Sequence, residues 1–166
     1  MSIYQSLEQQ RASHAWTSVM SAYKVSQDVA RKYTQLASKL PAMIANNGLG
    51  QTLAFLAAKA KTTNQNSTIN LQSAEGQLYA HLEQWLTRSP KKRDSSPPGP
   101  FAESAKDEPE CATPLLYRIT AGDSLTYRHA TLESQRLLVW LKLFAAAKRE
   151  KSEDAKETGN EHQSTA

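Results

Sequence analysis

Apolar residues recur three and four positions apart through most of this 166-residue chain, with no run alternating long enough to make a strand. Helical spacing gathers such residues onto one stripe, whereas a strand would scatter them over both faces. The pattern therefore predicts an all-α fold: a compact single-domain bundle of about five to six helices with a disordered loop and tail. The predicted helical domain covers 1–149, interrupted by a flexible proline-rich excursion at 88–112, and 150–166 forms a disordered acidic tail. A chain of this length buries a sufficient core without disulfide or metal staples. Cys111 is the single cysteine, so neither an intrachain disulfide nor a cysteine-built zinc site is available.

The first predicted helix, about 3–25, puts Ala12, Ala15, Trp16, Val19, Met20 and Tyr23 on one stripe. The second, about 27–46, does the same with Val29, Tyr33, Leu36, Ala37, Leu40 and Ile44. Pro41 lies inside it and biases Leu40 away from helical geometry, which predicts a break there. Asn46-Asn47-Gly48 reads as a helix stop. Leu49 to Ala60 restarts, and 61–72 is a polar connection. Ser73 is placed to cap a helix over about 74–87 that buries Leu78, Leu82, Trp85 and Leu86. Prolines 90, 97, 98, 100 and 109 mark the excursion. Thr113-Pro114 opens a short helix through Leu115, Leu116 and Ile119, which Gly122 stops. The last helix, about 125–149, carries Leu132, Leu137, Leu138, Leu141, Phe144 and Ala145 on its apolar side. Trp16 and Trp85 are expected in the core, while Trp140 sits beside its stripe, where a protein contact would reach it.

Chemistry is hard to find. The histidines, His14, His81, His129 and His162, share no helical face at metal-ligand spacing, and there is no HExxH pattern. No G-x-S-x-G elbow exists, and Cys111 falls in the excursion. Acids are scarce in the body: Glu8, Asp28, Glu75, Glu83, Asp123 and Glu133. Gly48-Leu49-Gly50-Gln51-Thr52 lacks the strand, spacing and Lys-Ser/Thr pair of a phosphate loop. It reads as a turn between helices whose second helix presents amides at its start. The expectation is a protein that is not an enzyme and needs no cofactor.

The net charge of +4 conceals segregation: residues 1–93 carry +7, 94–112 carry −4, 113–149 carry +4 and 150–166 carry −3. The segments expected to fold are thus strongly basic, which suits a polyanion partner and equally suits lysines that solubilise a helical surface. Lys142 is informative because it interrupts the apolar run from Leu137 to Phe144 and must point outward. The RNA-facing candidates are Lys39, Lys59, Lys61, Lys142 and Arg149. Lysines at helix C-termini also complement the helix dipole, which accounts as well for Lys59, Lys61, Lys148 and Arg149. No apolar run reaches the roughly 20 residues of a membrane span. Gln5, Glu8, Gln9 and Gln10 interrupt what a signal peptide would keep apolar, so a reducing, cytoplasmic setting is expected.

Three blocks together resemble one family. They are Lys39-Leu40-Pro41 with Asn47-Gly48-Leu49-Gly50-Gln51-Thr52-Leu53-Ala54-Phe55; Leu82, Trp85 and Leu86; and Tyr127, Glu133 and Leu138 with Trp140-Leu141-Lys142 and Phe144-Ala145. Leu7 to Ala12 with Ala15-Trp16 agrees. The family is the small subunit of the type III-B CRISPR effector, the fifth protein of the Cmr set, and the resemblance runs from about 5 to 149 outside the excursion. It implies a helical bundle without catalytic activity. Its implied partners are other Cmr effector subunits, guide RNA and target RNA, with copies of the chain stacked along the filament. The subunit would hold the guide–target duplex through its backbone, since pairing of the two strands reads the sequence. Two other readings stand beside it: a helical adaptor whose basic surface meets acidic proteins, and a metal-dependent nuclease.

Overall fold

The computed structural model of the chain describes residues 5–60, 69–89, 97–102 and 114–160, with side chains described as far as Lys148. Among these residues there are six helices: α1 Leu7–Val25, α2 Gln27–Asn47, α3 Leu49–Ala60, α4 Ala74–Leu86, α5 Pro114–Ala121 and α6 Ser124–Asn160. The fold is all-α, as the spacing predicted.

Local chemistry sets most of the ends. Ser6 and Gln9 form a reciprocal capping box at the start of α1, each side chain satisfying a backbone N–H of the other residue. Ser26 ends α1 and caps α2 in one residue: its backbone is extended and its hydroxyl accepts the Val29 N–H at 3.1 Å. Ser73 caps α4 by accepting from Gly76 at 3.1 Å. Asp123 caps α6, its carboxylate accepting the N–H groups of Leu125 at 2.8 Å and Thr126 at 2.9 Å.

Gly48 closes α2 at φ +83°, a left-handed value, and its N–H reaches the Ile44 carbonyl at 2.9 Å. The chain then turns directly into α3.

α6 is the spine. It packs along α1 and α2, while α4 lies against α2 and α3, and α5 covers α3. Between them Val19, Ala22, Tyr33, Ala37, Leu40, Ile44, Leu53, Leu78, Leu82, Leu137, Leu138 and Leu141 form one buried core. Each fully buried leucine contributes about 1.5–3 kcal/mol.

The structure departs from the sequence reading in four places. Pro41 does not break α2, which runs unbroken from Gln27 to Asn47. An interior proline costs about 3 kcal/mol, and keeping the helix holds both Leu40 and Ile44 in the core. Trp16 is 49% exposed and Leu132 is 51% exposed, so neither is a core residue. On α1 the buried line runs through Arg11, Ala15, Ser18, Val19 and Ala22, which leaves Trp16 on its shoulder.

Residues 97–102 of the predicted flexible excursion are packed. Phe101 is buried, its N–H donates to the Leu86 carbonyl at 2.9 Å, and its own carbonyl accepts from Arg118 at 2.7 Å. Gly99 permits this close approach, because a Cβ there would stand 2.3 Å from the Leu86 oxygen. The excursion's residues 90–96 and 103–112 lie outside the described residues, as does Cys111.

The backbone of α6 is described as far as Asn160, with its side chains described as far as Lys148. Lys151, Glu153, Ala155 and Lys156 are good helix formers and no proline intervenes. Residues 161–166 of the predicted tail are outside the described set.

Candidate nucleic-acid interface

Of the five predicted RNA-facing residues, Lys39, Lys59 and Lys142 are exposed, on α2, at the end of α3 and on α6. Lys61 lies outside the described residues, and so does the side chain of Arg149, whose backbone belongs to α6. No hydrogen bond or ion pair among the described residues joins Lys39, Lys59 and Lys142 to each other or to an acid. They are free cations on three different helices.

A pattern extends two of them. Lys32 and Lys39 are both exposed on α2, and Arg128 and Lys142 are both exposed on α6. Separations of seven and fourteen residues return a helix to nearly the same side. The α2–α6 pair, packed together, thus carries an exposed basic line on each helix. Asp28 is the single exposed acid on α2, and between Ser124 and Lys148 the one acid, Glu133, is buried.

Other cations have internal duties. Arg31 pairs with Asp28 at 2.9 Å. Arg11, only 4% exposed, lies inside the bundle against Glu133, itself 1% exposed. Its Nη2 and Nε donate to the two carboxylate oxygens at 2.7 and 3.2 Å, and Trp85 Nε1 donates to the same carboxylate at 3.2 Å. Arg136 and Arg88 approach that carboxylate at 3.6 and 4.0 Å. Burial by itself raises the Glu133 pKa, but the Arg11 hydrogen bond and charge outweigh it and the carboxyl lies below its ordinary value. The arrangement joins α1, α4 and α6, and its donors occupy the carboxylate.

Two of the histidines, His14 and His81, are also internal, whereas His129 is exposed. Buried His81 contacts the Tyr33 hydroxyl through Nδ1 at 2.9 Å, and His14 Nε2 meets the His81 carbonyl at 2.9 Å. Burial, with His14 nearby, pushes the His81 pKa down to about 4, and burial lowers His14 as well. No group of three or more His, Cys, Asp or Glu among the described residues is arranged to hold a metal ion.

The glycine-rich turn is filled from within. The Tyr127 hydroxyl accepts the Gly50 N–H at 3.2 Å and stands 3.0 Å from where a Gly48 Cβ would lie. That amide, suggested by the sequence as a phosphate donor, already has its acceptor.

One surface is unexpectedly apolar. Trp16 meets Phe144 edge-on at 5.5 Å, and Phe144 meets Trp140 at 5.4 Å. Leu132, Val139 and Leu143, each more than half exposed, continue along α6 at helical spacing. Exposed apolar groups in such a row mark a contact surface.

A family model described as CRISPR-associated protein (Cas_Cmr5) matches residues 7–148. The chain belongs to the Cas_Cmr5 family. It is thereby a member of the small-subunit family of the type III-B Cmr complex, as the three sequence blocks suggested. The Cas_Cmr5 match begins at the first residue of α1 and ends within α6, so it takes in both the basic lines and the Arg11–Glu133 centre. Residues 97–102 fall inside it, and the end of α6 beyond Lys148 falls outside. Among the described residues no helix is long and apolar enough to cross a membrane.

The sequence reading missed the Arg11–Glu133 centre. Two signals pointed to it: an arginine on the buried line of α1, and the lone acid of α6 before Lys148. Their pairing across 122 positions is a tertiary fact.

Proposed function

We propose that the chain is a non-catalytic small subunit of a Cmr effector, acting in the cytoplasm, which helps to hold guide and target RNA through their backbones. The observation that carries this is the pair of exposed basic lines on α2 and α6, where Asp28 is the single exposed acid as far as Lys148. Lys39 and Lys142 are the free cations of these two lines, and Lys59, on α3, with Lys61 and Arg149 completes the RNA-facing set of this reading. Phosphate contacts of this kind position a protein without reading bases, which suffices when guide–target pairing supplies the sequence. The exposed aromatic and aliphatic row on α6, with Trp16, is the surface that packs against other Cmr subunits or stacked copies.

The test is a filter-binding titration against single-stranded RNA at two salt concentrations, with Lys39→Glu/Lys142→Glu beside the wild type. Two lost phosphate contacts should lower the slope of log affinity against log salt by about 1.4, with unchanged helical content. Unchanged affinity and slope would show the RNA surface to be misplaced.

A second reading, an adaptor for acidic proteins, draws support from the same apolar row, because Arg128, Arg136 and Lys142 accompany it. It predicts negligible RNA affinity even at low salt.

A further inference from the structure

α6 is apolar on two opposite sides. Its inner side carries Ala130, Leu137, Leu138, Leu141 and Ala145 into the core. Its outer side carries Leu125, Leu132, Val139 and Leu143, each more than half exposed and Leu125 77% exposed. Leu125, Leu132 and Val139 stand seven residues apart, and Leu143 follows one turn on. At 3.6 residues per turn these four fall within about 40° of arc, a straight stripe roughly 27 Å long. Among the described residues no element closes over it. Exposed cations border the stripe, Arg128 and Lys142 along one edge and Arg136 along the other. Arg136 approaches the buried Glu133 at 3.6 Å and still keeps its side chain 59% exposed. Glu133 is the one acid from Ser124 to Lys148, and it faces inward.

A helix on the surface of a bundle ordinarily has one apolar stripe, which faces the core. A second stripe at seven-residue spacing is the pattern by which a helix receives another helix along its length, with the charges beside the seam choosing the partner. Here those charges are all positive. We propose that the outer face of α6 docks an amphipathic helix of another protein, one whose aliphatic stripe is flanked by Asp and Glu. A second copy of this chain does not supply such a helix. Its own α6 would set cations against cations, and its acidic stretches, 94–112 and 150–166, hold no leucine, isoleucine or valine to enter the seam. RNA matches poorly as well, because aliphatic side chains give bases no stacking face. The proposal rests on the reading of this row as a subunit contact and adds the partner's chemistry.

The experiment titrates the full chain into two fluorescently labelled synthetic helices of about three heptads, followed by anisotropy. Both carry the same leucine stripe, flanked in one by glutamate and in the other by lysine. Saturable binding of the glutamate-flanked peptide alone is expected. Leu132→Ser/Val139→Ser should weaken it about tenfold or more. Arg128→Glu should weaken it about two- to fivefold, with the larger effect at low salt. Leu125→Ser, at the most exposed of the four positions, serves if the double variant folds poorly. Binding of neither peptide, equal binding of both, or binding that survives Leu132→Ser/Val139→Ser would each overturn the proposal. So would sedimentation showing the chain to pair with itself through this stripe, or RNA retention lost in the same double variant. If Val139→Ser and Leu143→Ser still reduce co-purification with Cmr subunits when neither peptide binds, the subunit contact stands and the partner's chemistry is wrong. If co-purification is unchanged as well, both readings fail.

Discussion

Removing the Glu133 carboxylate should be among the most damaging single changes available to this protein. In Glu133→Ala, Arg11 loses two hydrogen bonds, at 2.7 and 3.2 Å, and Trp85 Nε1 loses its acceptor at 3.2 Å. Arg11 keeps Glu8 at 2.5 Å, but that carboxylate is 57% exposed while the Arg11 side chain is 5% exposed. An inward-facing guanidinium thus stays largely uncompensated. Breaking one side of a buried pair costs about 3–5 kcal/mol, a large share of the roughly 5–15 kcal/mol that holds a domain folded. With a urea dependence of about 2 kcal/mol/M, the midpoint should fall by about 2 M at neutral pH. Glu133→Gln keeps one acceptor oxygen and loses the charge, so it should cost about 1.5–3 kcal/mol.

The pH dependence supplies a second readout. The folded-state pKa of Glu133 is lowered, so its contribution is fully present above its ordinary value of 4.5 and is lost as the pH falls through the folded value. The gap between wild type and Glu133→Gln should therefore narrow in acid. Urea titrations followed by tryptophan fluorescence at about pH 7 and pH 3 measure both effects. A Glu133→Ala variant within 1 kcal/mol of wild type, or a gap that does not change with pH, would refute the reasoning.

His81 predicts an earlier acid sensitivity. Its pKa is pushed from 6.5 to about 4 by burial, so the unfolded chain binds the proton first and stability falls as the pH drops through that window, by about 3 kcal/mol in total; in a series of urea titrations His81→Gln should flatten that slope. Gly99→Ala would place a Cβ 2.3 Å from the Leu86 oxygen and should dislodge Phe101, lowering the thermal midpoint by several degrees, whereas Pro98→Ala, at an exposed neighbour, should not. Leu143→Ser and Val139→Ser alter side chains 54% and 53% exposed, so stability should change by no more than about 0.5 kcal/mol while incorporation into a reconstituted Cmr complex, read by co-purification, declines.

Much of the helical layout was legible because its causes are local. Ser73, Gly48 and Gly122 stand at helix ends for reasons that reach no further than one turn, and the apolar spacing identified Leu78, Leu82, Leu137 and Leu138 as core. Pro41 misled for the same reason: its penalty is local and visible, whereas the burial of Leu40 and Ile44 that offsets it comes from other helices. The composition of 88–112 spoke for an unpacked segment, and the close passage of Gly99 over the end of α4 left no trace in it. Of the basic surface, Lys142 was legible because it breaks an apolar run.

The sequence by itself determined that the chain is helical, where most helices start and stop, that its body is basic, and, through three blocks, its family. Propensity, capping and dipole effects act within about four residues and can be read from neighbours. Only the tertiary structure decided that Trp16 and Leu132 face outward, that Arg11 meets Glu133, and that Tyr127 fills the glycine turn. Those outcomes depend on which helix faces lie against each other. Burial and pairing energies between distant segments choose that arrangement, and no local window of the chain contains them.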